Sequence, residues 1–195
     1  MKVHEKGNEN VFHFFQYKKV VEYGVTKNRE RFIMKENIKL LFEQVLQNSN
    51  EDDLKVLEQI LSGIKNKQEG LNGTYIGALL HMKRENKNDT YEVEIPLTPV
   101  TDNSLNIAHG GITMTVLDSA MGTLAAQLVG REYAVVTSEM HIHFVAKGTG
   151  NLLKCVSKII HQGNKIIVVE GKAFRDDGTL IAHATGSFFK VPRKK

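Results

Sequence analysis

The chain has 195 residues, 41% of them hydrophobic, with 16 glycines, 3 prolines and a formal net charge of +4. That length suits one compact domain with an appendage. The single Cys155 excludes an internal disulfide framework, and the scattered lysines lack the concentrated basic face that nucleic-acid binding requires. Residues 1–10, MKVHEKGNEN, carry no apolar core of a secretory signal, so a cytoplasmic location is expected.

Residues 1–34 mix the aromatics Phe12, Phe14, Phe15 and Tyr17 with charges and show no firm period. If the ordered fold begins near Met34, residues 1–33 are only loosely attached. Beyond them Ile38, Leu41 and Val45, then Leu54, Leu57, Ile60, Leu61 and Ile64, recur at three- and four-residue steps. These steps predict helices over 35–48 and 51–66. Asn50 reads as an N-cap, because Glu51-Asp52-Asp53 place acids in the following first turn. The pattern changes near residue 70, which suggests a helical extension over 1–70 and a main domain over 71–195.

In the main domain Tyr75–Lys83 and Thr90–Leu97 read as a hairpin joined by the polar turn Arg84–Asp89. Pro96 and Pro99 end its second strand. A loop over 98–108 leads to a helix over 110–129. Four strands follow, over 133–146, 151–162, 165–175 and 179–190. Gln162-Gly163-Asn164 and Asp176-Asp177-Gly178 are turn-forming stretches that make antiparallel hairpins of them.

The central helix holds the chemistry. From Gly110 to Gly130, Asp118 is the one charged residue. Burying a carboxylate in an apolar helix costs several kcal/mol, roughly, unless it is paired or used, so a buried, functional acid is expected here. The glycines after His109 are expected to leave backbone N–H groups free at the helix start, where a developing negative oxygen is stabilised. An acid and an oxyanion site so close in sequence suggest acyl transfer. The stretch is long enough to test as a membrane span, but Asp118, Ser119 and Gln127 and the flanking strands favour a buried helix in a soluble domain. A helix apolar on nearly all sides asks for a curved sheet wrapped around it, hence an α+β class. Glu139, His141 and His143 alternate on one strand face, but no second cluster completes a metal site, so no metal is expected.

The run Asn103-Ser104-Leu105-Asn106-Ile107-Ala108-His109-Gly110-Gly111, followed by Leu117-Asp118-Ser119-Ala120, resembles the hotdog-fold thioesterases, and within them the PaaI-like acyl-CoA thioesterases. The resemblance covers residues 75–190. As in that group, an Asn stands six residues before the His and the acid nine after it, and Val136–Phe144 is similar to the strand that follows the family's helix. The resemblance implies an antiparallel sheet of about six strands around one central helix. It implies hydrolysis of an acyl-CoA thioester to free acid and CoA, with CoA present only as part of the substrate and no further cofactor.

By the same resemblance Asp118 is nucleophile or general base, and Gly110 offers its N–H to the thioester carbonyl. His109 orients the loop or contacts the thioester, Asn103 holds the water or the carbonyl region, and Thr137 positions the water. Gly111, Ser138, Lys147 and Gly148 fall where substrate is met, the last two near the pantetheine and phosphates of CoA. Met114 and Met121, two turns apart on the Asp118 side of the helix, either line an acyl pocket or fill the core. Nine helical residues span about 13 Å and roughly half a circle, so His109–Gly110 and Asp118 of one chain do not readily meet on one substrate. A two-fold homodimer, alone or paired into a tetramer, solves this by setting Asp118 of one chain against the helix start of the other. The rival reading is a non-catalytic hotdog sensor that binds acyl-CoA and signals to a helical module. The N-terminal helices lack a short Gly-containing turn and a basic recognition helix, and Asp118 with His109-Gly110-Gly111 favours catalysis. A hotdog dehydratase or hydratase would need a differently spaced His and acid.

Overall fold

A computed structural model describes residues 27–193. Residues 1–26, with Phe12, Phe14, Phe15 and Tyr17, and residues 194–195 lie outside the described residues, as does the reading of the N-terminal ten. The chain divides between Asn50 and Glu51 into two compact units. The first contributes α1 (Lys27–Asn48), which already includes residues 27–33.

The second unit opens with α2 (Glu51–Gln68), whose first-turn Glu51, Asp52 and Asp53 and last-turn Lys65 and Lys67 oppose the helix dipole at both ends. Gly63 lets α3 (Tyr75–Leu79) dock on α2, since a Cβ there would sit 2.8 Å from the Ala78 carbonyl oxygen. This short helix overturns the strand expected over 75–83. Thr74 caps it by accepting the Gly77 N–H at 3.1 Å. It closes in a Schellman turn, with Met82 N–H donating to Gly77 O and His81 N–H to Ala78 O. His81 occupies the left-handed position (φ 50) where glycine is usual. Its ring compensates by seating Nε2 3.0 Å from Gln59 O on α2.

The sheet follows. β1 (Lys83–Lys87) and β2 (Thr90–Pro96) form a tight hairpin in register Lys87↔Thr90. Its turn is at Asn88 (φ 38) and Asp89, not over the longer 84–89 stretch. After α4 (Gly110–Gln127) come β3 (Tyr133–Phe144), β4 (Leu152–Gln162), β5 (Ile166–Arg175) and β6 (Leu180–Pro192). All pairs are antiparallel, in the order β1-β2-β4-β5-β6-β3. The last strand, β3, pairs only with β6 among the described residues, which leaves one long edge unpaired.

α4 lies across one face of this sheet and buries Val116, Leu117, Ala120, Met121, Leu124 and Ala125 against it. Gly171 on β5 permits the close approach, because a Cβ there would fall 2.8 Å from the Met121 sulfur and 3.0 Å from Leu117. Ser157, fully buried on β4, sets its hydroxyl 3.0 Å from Tyr91 O and 3.2 Å from Ala120 O, tying helix to sheet. Cys155 lies in the same core, and burial pushes its thiol pKa far above the ordinary range, so it is an inert packing residue. No described helix is long and apolar enough to cross a membrane.

One expectation needs correction. α4 is not enclosed on all sides: Gly111 and Met114 are exposed, and Thr115, Asp118, Ser119, Gly122, Thr123 and Ala126 are half-buried. Apart from Met114 and Asp118 the open face consists of small residues, so an apolar average concealed it. Within the single chain Asp118 is accordingly half-buried and not a fully buried acid.

Candidate active site

The start of α4 is fixed from three directions. His109 is its N-cap (φ −62, ψ 130), and its Nδ1 accepts the Gly111 N–H at 2.9 Å. With Nδ1 accepting, the neutral ring carries its proton at Nε2. His109 N–H donates to Thr101 O at 2.8 Å, and Ala108 N–H donates to Gly148 O at 2.7 Å. Gly148 is buried, and a Cβ there would lie 2.7 Å from the Ala108 Cβ, so its place in the fold is to let the two loops touch. Lys147 beside it is exposed.

With Gly111 capped by His109, the Gly110 N–H is left without an acceptor among the described residues. It sits at the positive end of an 18-residue helix. The ring of the half-exposed Phe144 packs beside Gly110, 3.2 Å from where a Gly110 Cβ would be. Asn103 is engaged in its own loop, where its Oδ1 accepts the Leu105 N–H at 2.8 Å and its backbone closes on Ile107 and Asn106. This is an Asx turn, and it leaves the side-chain NH₂ as the group available to a ligand.

Two turns further along α4, Asp118 Oδ1 accepts a 2.7 Å hydrogen bond from the Thr137 hydroxyl on β3. The nearby helix hydroxyls do not serve it: Thr115 donates to Gly111 O and Thr123 to Ser119 O. A β-bulge between Thr137 and Glu139 shifts the β3–β6 register here, and Ser138 at the bulge donates to Ser187 O at 2.8 Å. Asp118 and Thr137 open onto a cavity of about 350 Å³ between α4, β3 and β6. Its walls are Ser119, Gly122, Thr123 and Ala126 from the helix and Ala134 and Val135 from β3, with Phe188 beneath and Arg193 beyond. The volume falls within the range of small-molecule pockets.

The two methionines separate. Met121 is fully buried over Gly171 and Gly186, outside this cavity, whereas Met114 is 37% exposed on the open face of α4. Ser119, Gly122, Thr123, Ala126, Phe188 and Arg193 were not marked by sequence reasoning. Four of them stand at helical spacing i, i+3, i+4 and i+7 from Ser119, and small residues at that spacing were the available signal. His141 and His143 meet edge to face at 4.6 Å on the sheet face away from Asp118.

The chain matches the thioesterase superfamily over residues 105–182. It is 41% identical to BH2602 of Bacillus halodurans, whose crystal structure was determined with CoA. That similarity covers 77% of this chain and 97% of the other, with a TM-score of 0.73. SSO2140 of Saccharolobus solfataricus is 34% identical over 102 residues, or 52% of this chain and 72% of the relative. The PaaI protein of E. coli, from its phenylacetic acid degradation operon, shares the fold at 17% identity and a TM-score of 0.57, over 68% of this chain and 96% of that one. A six-stranded antiparallel sheet carrying a central helix with an HGG start, and relatives matched over most of their length, place this hotdog-fold chain in the thioesterase superfamily.

Proposed function

We propose that this protein hydrolyses acyl-CoA thioesters to free acid and CoA, at sites shared between two copies of the chain. Membership of the superfamily carries thioester hydrolysis as the general chemistry. The observation that carries the finer reading is the state of Asp118: a half-exposed carboxylate, oriented by Thr137, at the mouth of a cavity large enough for an acyl group. The structure of BH2602 with CoA supports CoA as the thiol half.

Asp118 and the Gly110 amide lie eight residues apart on one helix, about 12 Å along its axis. That is too far for one carbonyl, so the amide that polarises the thioester comes from a second copy. The unpaired edge of β3, which carries Thr137, is the natural place for that copy to join. The thioester carbonyl oxygen takes the amide N–H, whose orientation is fixed before the reaction. Asp118 then either takes a proton from water as it attacks the carbonyl carbon, or attacks it directly to give an anhydride that water opens. In both routes the C–S bond breaks, the thiolate leaves and is protonated, and the acyl carbon gains the water oxygen. Thr137 holds the carboxylate oxygen that is not reacting.

The test is thiol release from a panel of acyl-CoAs. Asp118→Ala should lose about a thousandfold or more in kcat; equal rates would remove the mechanism. Mixing Asp118→Ala with Gly110→Pro subunits should restore one working site per mixed dimer, and absence of recovery after proven subunit exchange would rule out the shared site.

A further inference from the structure

We propose that Arg193 makes the cavity beside Asp118 a subsite for acyl groups that carry an anionic group at their far end, such as the half-thioesters of dicarboxylic acids. This rests on the thioesterase reading and names its substrate class.

The cavity has two polar ends and an uncharged middle. At one end are Asp118 and Thr137; between lie Ser119, Gly122, Thr123 and Ala126 over Phe188. At the other end is Arg193, the one cation among the lining residues. Its place is set by the strand. Tyr133, which anchors it, precedes Thr137 by four residues, or about 13 Å of extended chain. Ala126, two turns past Asp118, marks a similar length on the helix wall.

Arg193 is also held. Its backbone N–H donates to Glu132 O at 2.9 Å and its Nε to Tyr133 O at 2.8 Å. That leaves the two terminal nitrogens of the guanidinium with four donors, the fork geometry that matches a carboxylate. Arg175, by contrast, spends its fork on Asp177 and Thr179. Among the described residues no carboxylate lies within ion-pair distance of Arg193. Arg193 is solvent-exposed, so its fork is open to a ligand that reaches that end of the cavity. With the thioester carbonyl at Asp118, an acyl group laid along the helix wall brings its far end to Arg193.

The experiment compares thiol release from adipoyl-, suberoyl- and sebacoyl-CoA with that from hexanoyl-, octanoyl- and decanoyl-CoA, in wild type, Arg193→Gln and Arg193→Lys. Each acyl group is also presented on pantetheine, which lacks the nucleotide phosphates. Wild type should favour one carboxylated ester over its alkyl counterpart by about tenfold or more in kcat/KM on both thiols. Arg193→Gln should abolish the preference and Arg193→Lys should keep part of it. No preference at any length would overturn the proposal. So would an Arg193→Gln loss that is equal for carboxylated and alkyl esters and confined to the CoA series, since the cation would then be reading CoA phosphates. If no thioester is hydrolysed by wild type, the thioesterase reading fails. Calorimetric binding of suberoyl- against octanoyl-CoA then decides the subsite alone: tighter suberoyl binding that Arg193→Gln removes supports it, and equal binding overturns it.

Discussion

Thr137→Val asks whether the hydroxyl beside Asp118 orients the reacting carboxylate or merely fills an edge-strand position. The substitution is nearly isosteric and keeps a good β-former on β3, but it removes the 2.7 Å O–H donor to Asp118 Oδ1. A hydrogen bond to a charged group contributes about 1.5–3 kcal/mol. Thr137 is exposed and Asp118 only half-buried, so the low end applies, about 1.5 kcal/mol, or roughly a tenfold loss in rate. The loss should fall on kcat with KM little changed, because the group positions a reacting atom and does not hold substrate. Thr137→Ser keeps the donor and should stay within about threefold of wild type. The decisive arm is the cycle with Asp118→Asn: if Thr137 acts only through the carboxylate, adding Thr137→Val to that variant costs nothing further. Full kcat in Thr137→Val, or an equal additional loss in the Asp118→Asn background, would refute the reasoning.

Three other outcomes follow from the geometry. At Gly110, proline is compatible with the first helical position and His109 is already extended (ψ 130), so Gly110→Pro should fold. It deletes the amide N–H and should lower kcat by about 10²–10³, while Gly110→Ala, which keeps the N–H and asks only the Phe144 ring to yield, should retain most activity. Gly171→Ala drives a methyl against the Met121 sulfur 2.8 Å away. Overpacking of that kind costs about 1–3 kcal/mol; the expected fall in melting temperature is about 2–4 °C per kcal/mol, and pairing it with Met121→Ala should leave a smaller penalty than the two substitutions summed. Asp177 is held at a pKa of about 2, below its ordinary 3.8, chiefly by the hydrogen bond from Arg175 and then by bonds from Thr179. A depressed carboxyl stabilises the fold above its unfolded pKa and loses that contribution as pH falls through the folded one. The melting-temperature gap between wild type and Asp177→Asn should therefore be constant above pH 4 and close between 3.8 and 2; a gap that opens on acidification would reverse the sign.

Much of the fold was legible because its signals are periodic and local. The 18 residues of α4 and the four strands after it lie within a few residues of where composition and turn chemistry put them. The error at 75–83 has a definite cause. Five helical residues are too few to show a 3.6-residue period, and the stop at His81 uses a non-glycine residue in the left-handed region, supported by a carbonyl on α2 twenty-two residues earlier. No local pattern could signal that support. Asn103 and His109 were singled out through the family resemblance, but the bonds that occupy them, an Asx turn and an N-cap, follow from backbone geometry.

The misreading of Asp118 is the instructive one. Sequence reasoning gave it functional weight because a buried, unpaired carboxylate is expensive, yet in the chain it is half-exposed and hydrogen-bonded. In the single chain its surroundings, rather than the cost of burial, distinguish the acid. Ser119, Gly122, Thr123 and Ala126 fill one face of α4 with side chains too small to close the gap to β3, although larger apolar residues there would stabilise the helix by burying more surface. At Gly122 the gap is narrow, for a Cβ would lie 3.2 Å from the Phe188 ring. Filling the groove is therefore the sharper test of its use. Ala126→Leu adds apolar surface against Val135 and should hold or raise the melting temperature while it shortens the longest acyl group hydrolysed. If the acyl-length profile is unchanged, the groove is a packing defect and the acyl chain lies elsewhere.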